Sequence, residues 1–169
     1  MTQPENSPAV LLSDELLIGQ CQVTFTRRGG PGGQHRNKVS SAVVLKHLPT
    51  DLIAEASERR SQAENRNMAL SRLRIELALH VRQDVTSEVV SLVSQYGGSP
   101  FRVSSGNHSF AIVLTDVLNR VLSADGELQS AAEFWRTTPS QIIRFLKQEP
   151  RAFAIVNQKR SDCNVHQLK

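Results

Sequence analysis

The sequence predicts an α+β fold: a small, mostly antiparallel sheet packed on a long helix, followed by a C-terminal helical extension. Three observations predict it. Short alternating apolar runs fall before residue 57. Leu70, Leu73, Leu77 and Val81 then recur at helical spacing, the buried face of one long helix. Beyond Asp84 the strand signals largely give way to helical ones. A chain of 169 residues makes one domain or two small ones, so we place a first domain at 1–84 and the helical extension at 85–169. Hydrophobic residues make up 39%, enough for a packed core without a disulfide or metal staple.

Residues 1–8, with Pro4, Asn6, Ser7 and Pro8, read as a disordered lead-in. Ser13 before Asp14 and Glu15 caps a short helix that runs to about Gly19. Cys21, Val23 and Phe25 alternate with Gln22 and Thr24, a half-buried strand. Gly29-Gly30-Pro31-Gly32-Gly33 holds four of the nine glycines, and no regular element tolerates that density, so it is a loop. Ala42–Leu48 and Leu52–Ala56 read as two further strands, and Pro49-Thr50-Asp51 suits the turn between them. Ser61-Gln62-Ala63-Glu64 is a capping box opening the long helix.

In the extension, Glu88–Tyr96 reads as a helix ended by Gly97-Gly98-Ser99-Pro100, and Phe110–Ala124 as one stopped at Asp125-Gly126. Two short helices, Leu128–Trp135 and Ser140–Lys147, flank Arg136-Thr137-Thr138-Pro139, and a last one runs over about Arg151–Arg160. The segment 128–147 has the form of a helix-turn-helix. Ala131-Ala132 fits a tight crossing, and Thr137 or Thr138 a cap. Ile142, Ile143 and Leu146 would form a buried face, leaving Arg144 and Lys147 outward. An ordinary helical hairpin with Trp135 in its core accounts for the same pattern.

Composition narrows the chemistry. Cys21 and Cys163 have no partners at metal-ligand spacing, and His108 and His166 stand alone, so neither a metal nor a cofactor is expected. The longest apolar runs, such as Phe110–Leu114, are five residues, far short of a membrane span. No Arg or Lys precedes Arg27, so no secretory or transit leader is expected and the protein is read as cytoplasmic. The net charge of +4 is mild, but its distribution is not. From Leu16 to Thr50 there is no Asp or Glu, while Arg27, Arg28, Arg36, Lys38 and Lys46 surround the glycine loop. A solvated loop and a site for phosphate-rich RNA or DNA both account for that cluster.

The glycine loop fits neither common nucleotide motif. Gln34 follows Gly33 where a P-loop needs Lys, and His35-Arg36-Asn37-Lys38 leads into a strand where a dinucleotide fingerprint needs a helix. Gln34 is a poor base, but it can position a water or a leaving group. Two preceding glycines let its backbone N–H aim at an oxyanion. Such a loop makes chemical sense if most of the active site belongs to a partner into which it inserts.

The string Arg27-Arg28-Gly29-Gly30-Pro31-Gly32-Gly33-Gln34-His35-Arg36-Asn37, then Ser41-Ala42-Val43, resembles the GGQ signature of class I peptide chain release factors. The similarity continues through His47-Leu48-Pro49-Thr50, Arg60-Ser61-Gln62 and Asn65, covering about residues 13–80. The resemblance implies a loop that enters the peptidyl-transferase centre of the large ribosomal subunit and promotes attack of water on the ester of P-site peptidyl-tRNA. It implies that Gly32 and Gly33 set the backbone, that the Gln34 N–H stabilises the transition state or the leaving ribose oxygen, and that the Gln34 side chain shapes the water pocket. Gln34 is also the implied methylation site, and Arg27, Arg28, His35, Arg36 and Lys38 the implied contacts to ribosomal RNA. Pro31 and Arg36 depart from the usual small residue and Val or Ile, without touching Gly32, Gly33 or Gln34.

Only about a dozen residues precede the GGQ-like region, where codon-reading factors carry large domains. The expected subtype is therefore a stand-alone, codon-independent ribosome-rescue hydrolase, acting as a monomer. Ser99-Pro100-Phe101 matches a stop-codon-reading tripeptide but lies after the GGQ region, so it reads as a turn. The tail carries Lys159, Arg160 and Lys169 with Asp162 among them, weak for a channel-sensing tail. Arg144, Lys147, Lys159 and Arg160 remain as a second RNA contact. The alternatives are a non-catalytic ribosome- or RNA-binding module that keeps the loop, and a DNA-binding regulator acting through residues 128–147.

Overall fold

The computed structural model describes residues 7–26 and 41–169. The fold is α+β, with a three-stranded antiparallel sheet and several helices, as the periodicities predict. The chain divides into two compact units, Met1–Leu77 and Ala78–Lys169. Of the predicted lead-in, residues 1–6 lie outside the described residues.

In the first unit a 3-10 turn, Ala9–Leu11, leads to α1 (Asp14–Gly19). The Leu16 amide donates to Ser13 Oγ at 3.3 Å, the predicted cap. Strands β1 (Cys21–Thr26), β2 (Ala42–His47) and β3 (Ile53–Ala56) lie in that order. Val43 pairs with Phe25 and Ala56, and Leu45 with Val23 and Ala54, so the odd positions of β2 share one face with these residues. Val43, Leu45, Ala54 and Ala56 are buried there. The central strand β2 is flanked on both edges and is mostly buried, while the edge strand β1 stays partly open.

Phe25 corrects one expectation. It holds the predicted register but is 50% exposed, because it sits one pair from the end of an edge strand that has no further strand beside it among the described residues. The turn after β2 places Asp51 at φ 57°, a conformation that Asp tolerates better than most residues, and its carboxylate pairs with Lys46 at 2.7 Å. Helix α2 (Gln62–His80) follows; the Glu64 amide donates to Ser61 Oγ at 3.4 Å, the first half of the predicted capping box. Asn65, Ala69, Leu73 and Leu77 repeat every four residues and are all buried, with Leu70 beside them. Arg74 on the same helix donates to the carbonyls of Val10 and Leu12, at 2.7 and 2.6 Å, and pairs with Asp14, which fixes the segment before α1.

The second unit is helical: α3 (Thr86–Tyr96), α4 (Phe110–Ser123), α5 (Gln129–Phe134), α6 (Pro139–Leu146) and α7 (Pro150–Asp162). Helix α4 is its centre. Apolar residues from Phe110 to Val121 are buried on nearly every side, because α3, α5 and α7 all pack on it. Phe101, Phe110, Phe145 and Trp135 form one aromatic cluster, with neighbouring ring centroids 5.0–5.4 Å apart. Gly97 ends α3 against the carbonyl of Trp135; a Cβ there would lie 2.5 Å from the Val93 oxygen and 3.0 Å from that of Trp135. The Thr138 side chain accepts from the Gln141 amide, so Thr138 and not Thr137 caps α6.

The buried face of α6 is Ile142, Phe145 and Leu146, with Ile143 only half-buried. The expected face named Ile143. A helix brings i+3 and i+4 onto the face of residue i, which puts Phe145 there and turns Ile143 aside. Residues after α7 fold back on it. Asn157 Oδ1 accepts from the Leu168 amide at 2.7 Å, and Arg160 Nε donates to the His166 carbonyl at 2.6 Å.

Candidate functional site

The segment 27–40 joins β1 to β2, so it leaves and rejoins the sheet at adjacent strand ends, where Thr26 pairs with Ala42. Gly32, Gly33, Gln34, Arg27, Arg28, His35, Arg36 and Lys38 all lie in that segment, outside the described residues. What the structure describes is the base that holds it.

One end of that base is built on Asn65. This residue lies in the first turn of α2 and is 0% exposed. Its Nδ2 donates to the carbonyl of Ser41 at 2.6 Å and to that of Arg59 at 2.9 Å. Its Oδ1 accepts from the Arg59 amide at 2.9 Å. The side-chain amide thus spends both N–H groups on backbone from two different segments, satisfying the polar atoms it buries. Ser41 is the residue at which the chain re-enters β2. Sequence reasoning used Asn65 as part of the family string and missed it as a site residue. The signal available was a poor helix former on the buried stripe of a strong helix.

The opposite end of the β1–β2 pair is closed by His47, which is 1% exposed. Gln20 Oε1 lies 3.0 Å from Nε2 and Thr50 Oγ1 2.7 Å from Nδ1. Nε2–H donates to the amide oxygen and Nδ1 accepts from the hydroxyl, which is the neutral ring. Burial holds the His47 imidazole below its ordinary value. A lowered folded value means that the unfolded chain takes up the proton first as the pH falls. The stability contributed by neutral His47 is therefore complete above the ordinary value of about 6.5 and is lost as the pH drops through the lowered folded value. Urea unfolding followed by circular dichroism is expected to show a midpoint that declines below about pH 6.5, with His47→Gln flattening that decline. An unchanged slope in the variant would assign the decline to other groups.

The cations divide into paired and open ones. Within the acid-free stretch, Lys46 is paired with Asp51 at the turn. Arg59, Arg60 and Arg66, near the Asn65 clamp in sequence, are exposed. In the second unit Arg144 and Lys147 are exposed, with the Lys147 ammonium 5.4 Å over the Phe153 ring. Lys159 pairs with Asp125 at 2.9 Å. Arg160 has an 11% exposed side chain and donates to the Gly126 and His166 carbonyls, both at 2.6 Å, so its guanidinium braces the fold. Phe101 is 4% exposed within the aromatic cluster, which makes Ser99-Pro100-Phe101 a core-entering turn. Trp135 is fully buried, and His108 and His166 are exposed. Among the described residues no three His, Cys, Asp or Glu side chains converge as metal ligands, and no helix is long and apolar enough to cross a membrane.

A three-stranded sheet backed by a long helix, with a glycine-rich connection between its first two strands, is the frame on which the GGQ string sits. Residues 15–95 match the RF-1 domain. This part of the chain is therefore similar to the domain found in class I release factors. It is 48% identical over 67 residues to peptide chain release factor 2 of Treponema pallidum, covering 40% of this chain and 18% of that protein. It is 43% identical over 74 residues to peptide chain release factor 1 of Symbiobacterium thermophilum, covering 44% and 21%. It is 36% identical over 86 residues to the chloroplastic peptide chain release factor PrfB1 of Arabidopsis thaliana, covering 51% and 18%. The chain thus spans about a fifth of the length of these curated relatives.

Proposed function

We propose that the protein hydrolyses the ester of peptidyl-tRNA within the ribosome, releasing nascent peptide from stalled complexes without reading a stop codon. The observation that carries this reading is the intact Gly32-Gly33-Gln34 within the extended string, inside the segment that matches the RF-1 domain. Gly32 and Gly33 let the backbone turn the Gln34 N–H toward the developing oxyanion, and the Gln34 side chain bounds the space for water. Gln34 is the residue that a methyltransferase would modify. No cofactor is required, since ribosome and tRNA supply the remaining groups. The protein acts as a cytoplasmic monomer, with its partners the peptidyl-transferase centre, ribosomal RNA and P-site peptidyl-tRNA.

Codon independence is supported by the burial of Phe101 among Trp135 and Phe145, which takes that residue of the tripeptide out of solvent. Arg27, Arg28, His35, Arg36 and Lys38 contact ribosomal RNA. Arg144 and Lys147, with Lys159, form a second RNA contact, while Arg160 braces the Gly126 and His166 backbone.

The test is release of labelled peptide from P-site peptidyl-tRNA on ribosomes with an empty A site and no stop codon. Release by the wild-type chain is the expected result. Binding without release would move the reading to a non-catalytic ribosome-binding module. Reversing charge at Arg27 and Arg28 together is expected to weaken ribosome binding. It is also expected to flatten the salt dependence, by roughly one unit of slope for each phosphate that the variant no longer neutralises. Equal slopes for wild type and variant across a salt series would remove both arginines from the RNA interface.

A further inference from the structure

We infer that Asn65 is a positioning residue for peptide release, acting by fixing the point at which the glycine-rich segment rejoins the sheet. The inference rests on the release-factor reading above and deepens it. Ser41 is the last residue before β2, one position beyond the Thr26–Ala42 pair of the described ladder. Its carbonyl accepts from Asn65 Nδ2, at 2.6 Å and 24 residues away. The same amide grips both backbone groups of Arg59, at 2.9 Å each, so three chain segments meet on one side chain: the root of the segment, the turn before α2 and α2 itself. Asn65 is fully buried, so water does not replace a lost bond.

The helix that carries the clamp is itself anchored. Arg72, two turns on, donates to the Glu55 carbonyl of β3 at 2.6 Å and pairs with Glu58. Asn65 therefore refers the position of Ser41 to a helix already tied to the far strand of the sheet. Ser41 is the described anchor from which the chain runs back in sequence to Gln34, and errors of about 1 Å in the placement of catalytic groups cost on the order of 100-fold in rate.

Asn65→Asp is the discriminating variant. It keeps the size and shape of the side chain but replaces the donor by an acceptor, so a carboxylate oxygen faces the Ser41 and Arg59 carbonyls. Release is measured in single turnover with ribosomal complexes limiting and the factor titrated. A smaller folded fraction shifts only the half-saturating concentration, whereas a misplaced root lowers the plateau rate constant. Asn65→Asp is expected to lower the plateau by about 10- to 100-fold while the half-saturating concentration stays within about twofold. Relative to wild type at each pH, the plateau is expected to recover partly as the pH falls, because protonating the introduced carboxylate restores one donor.

Asn65→Ser, whose hydroxyl can donate to a single carbonyl, serves as the second variant, and both are assayed well below their unfolding midpoints. A wild-type plateau in a folded variant, or a shift confined to the half-saturating concentration, overturns the inference. So does failure of both variants to fold at any temperature, since Asn65 would then be a requirement of the fold alone. Absence of release by the wild-type chain is a separate outcome; it overturns the release-factor reading, and the inference with it.

Discussion

Gly33→Ala is expected to slow peptide release by roughly 10²- to 10³-fold, the loss commonly seen when an oxyanion donor is removed or misdirected, and Gln34→Ala to slow it severely through loss of the side chain proposed to position the water. The two substitutions act on different parts of the same device. Gly33→Ala leaves every hydrogen-bonding group in place but adds a Cβ, which restricts the backbone torsions that aim the next N–H. Gln34→Ala keeps the N–H and removes the side chain that, on the proposed reading, bounds the water. Ribosome association is expected to survive both, since neither removes a positive charge and the bonds in question form only in the transition state. The measurement is the plateau release rate against the ribosome-binding constant for the three proteins side by side. Wild-type rates in both variants would mean that the loop is not the catalytic element. A greater loss in Gly33→Ala than in Gln34→Ala would place the larger share of the work on the backbone donor.

Asp116→Ala is expected to destabilise the second unit by about 3 kcal/mol. Asp116 lies in the middle of α4 and is 2% exposed. Its Oδ2 accepts from Trp135 Nε1 at 2.9 Å and from Arg120 Nε at 2.8 Å. The Arg120 guanidinium in turn lies over the Phe134 ring, 3.4 Å from its centroid. Removing the carboxylate strands a fully buried indole N–H, a cost of about 1–3 kcal/mol, and takes from the Arg120 guanidinium its hydrogen-bonded ion partner. The second cost is below the full penalty for a buried charge because the Arg120 side chain is 21% exposed and keeps some water. Trp135 is the sole tryptophan of the chain, so its fluorescence reports directly on the unit that the substitution weakens. Urea unfolding followed at Trp135 is the check, and a midpoint within error of wild type would show that the network contributes nothing net. Asp116→Asn, which retains one acceptor oxygen, is expected to fall between the two.

Much of the local architecture was legible in the residue pattern. Ser13 ahead of two acids announced α1, and the cap bond is present. The apolar run Ala42–Leu48 and the helical spacing of Leu70, Leu73, Leu77 and Val81 marked the strand and the long helix; Leu70, Leu73 and Leu77 are buried, whereas Leu48 is exposed and Val81 lies just past the helix and is half-buried. Glycine pairs and proline marked the end of α3 and the start of α6. These features rest on interactions within a few residues, which a linear pattern records. Phe25 and Ile143 failed for the complementary reason. Their types and approximate periods are right, but burial depends on what lies on the far side, an open sheet edge in one case and the particular angle of a short helix in the other.

The chemical signature behaves in the same way. The glycine-rich string with Gln34, and the local excess of positive charge around it, stand in consecutive residues and needed no fold to be seen. The base that holds them did. Asn65 meets Ser41 across 24 residues and His47 meets Gln20 across 27; in the separate second unit, Trp135 meets Asp116 across 19 and Arg160 meets Gly126 across 34. Nothing in the identity of a lone Asn, His, Asp or Arg says whether it will face water, substrate or a backbone carbonyl. That is decided by which groups the folded chain brings within about 3 Å, where a buried polar atom is either satisfied or costly. Sequence alone determined the elements, the fold class and the motif; the tertiary structure decided which polar residues became clamps, because their partners are assembled only when distant segments pack together.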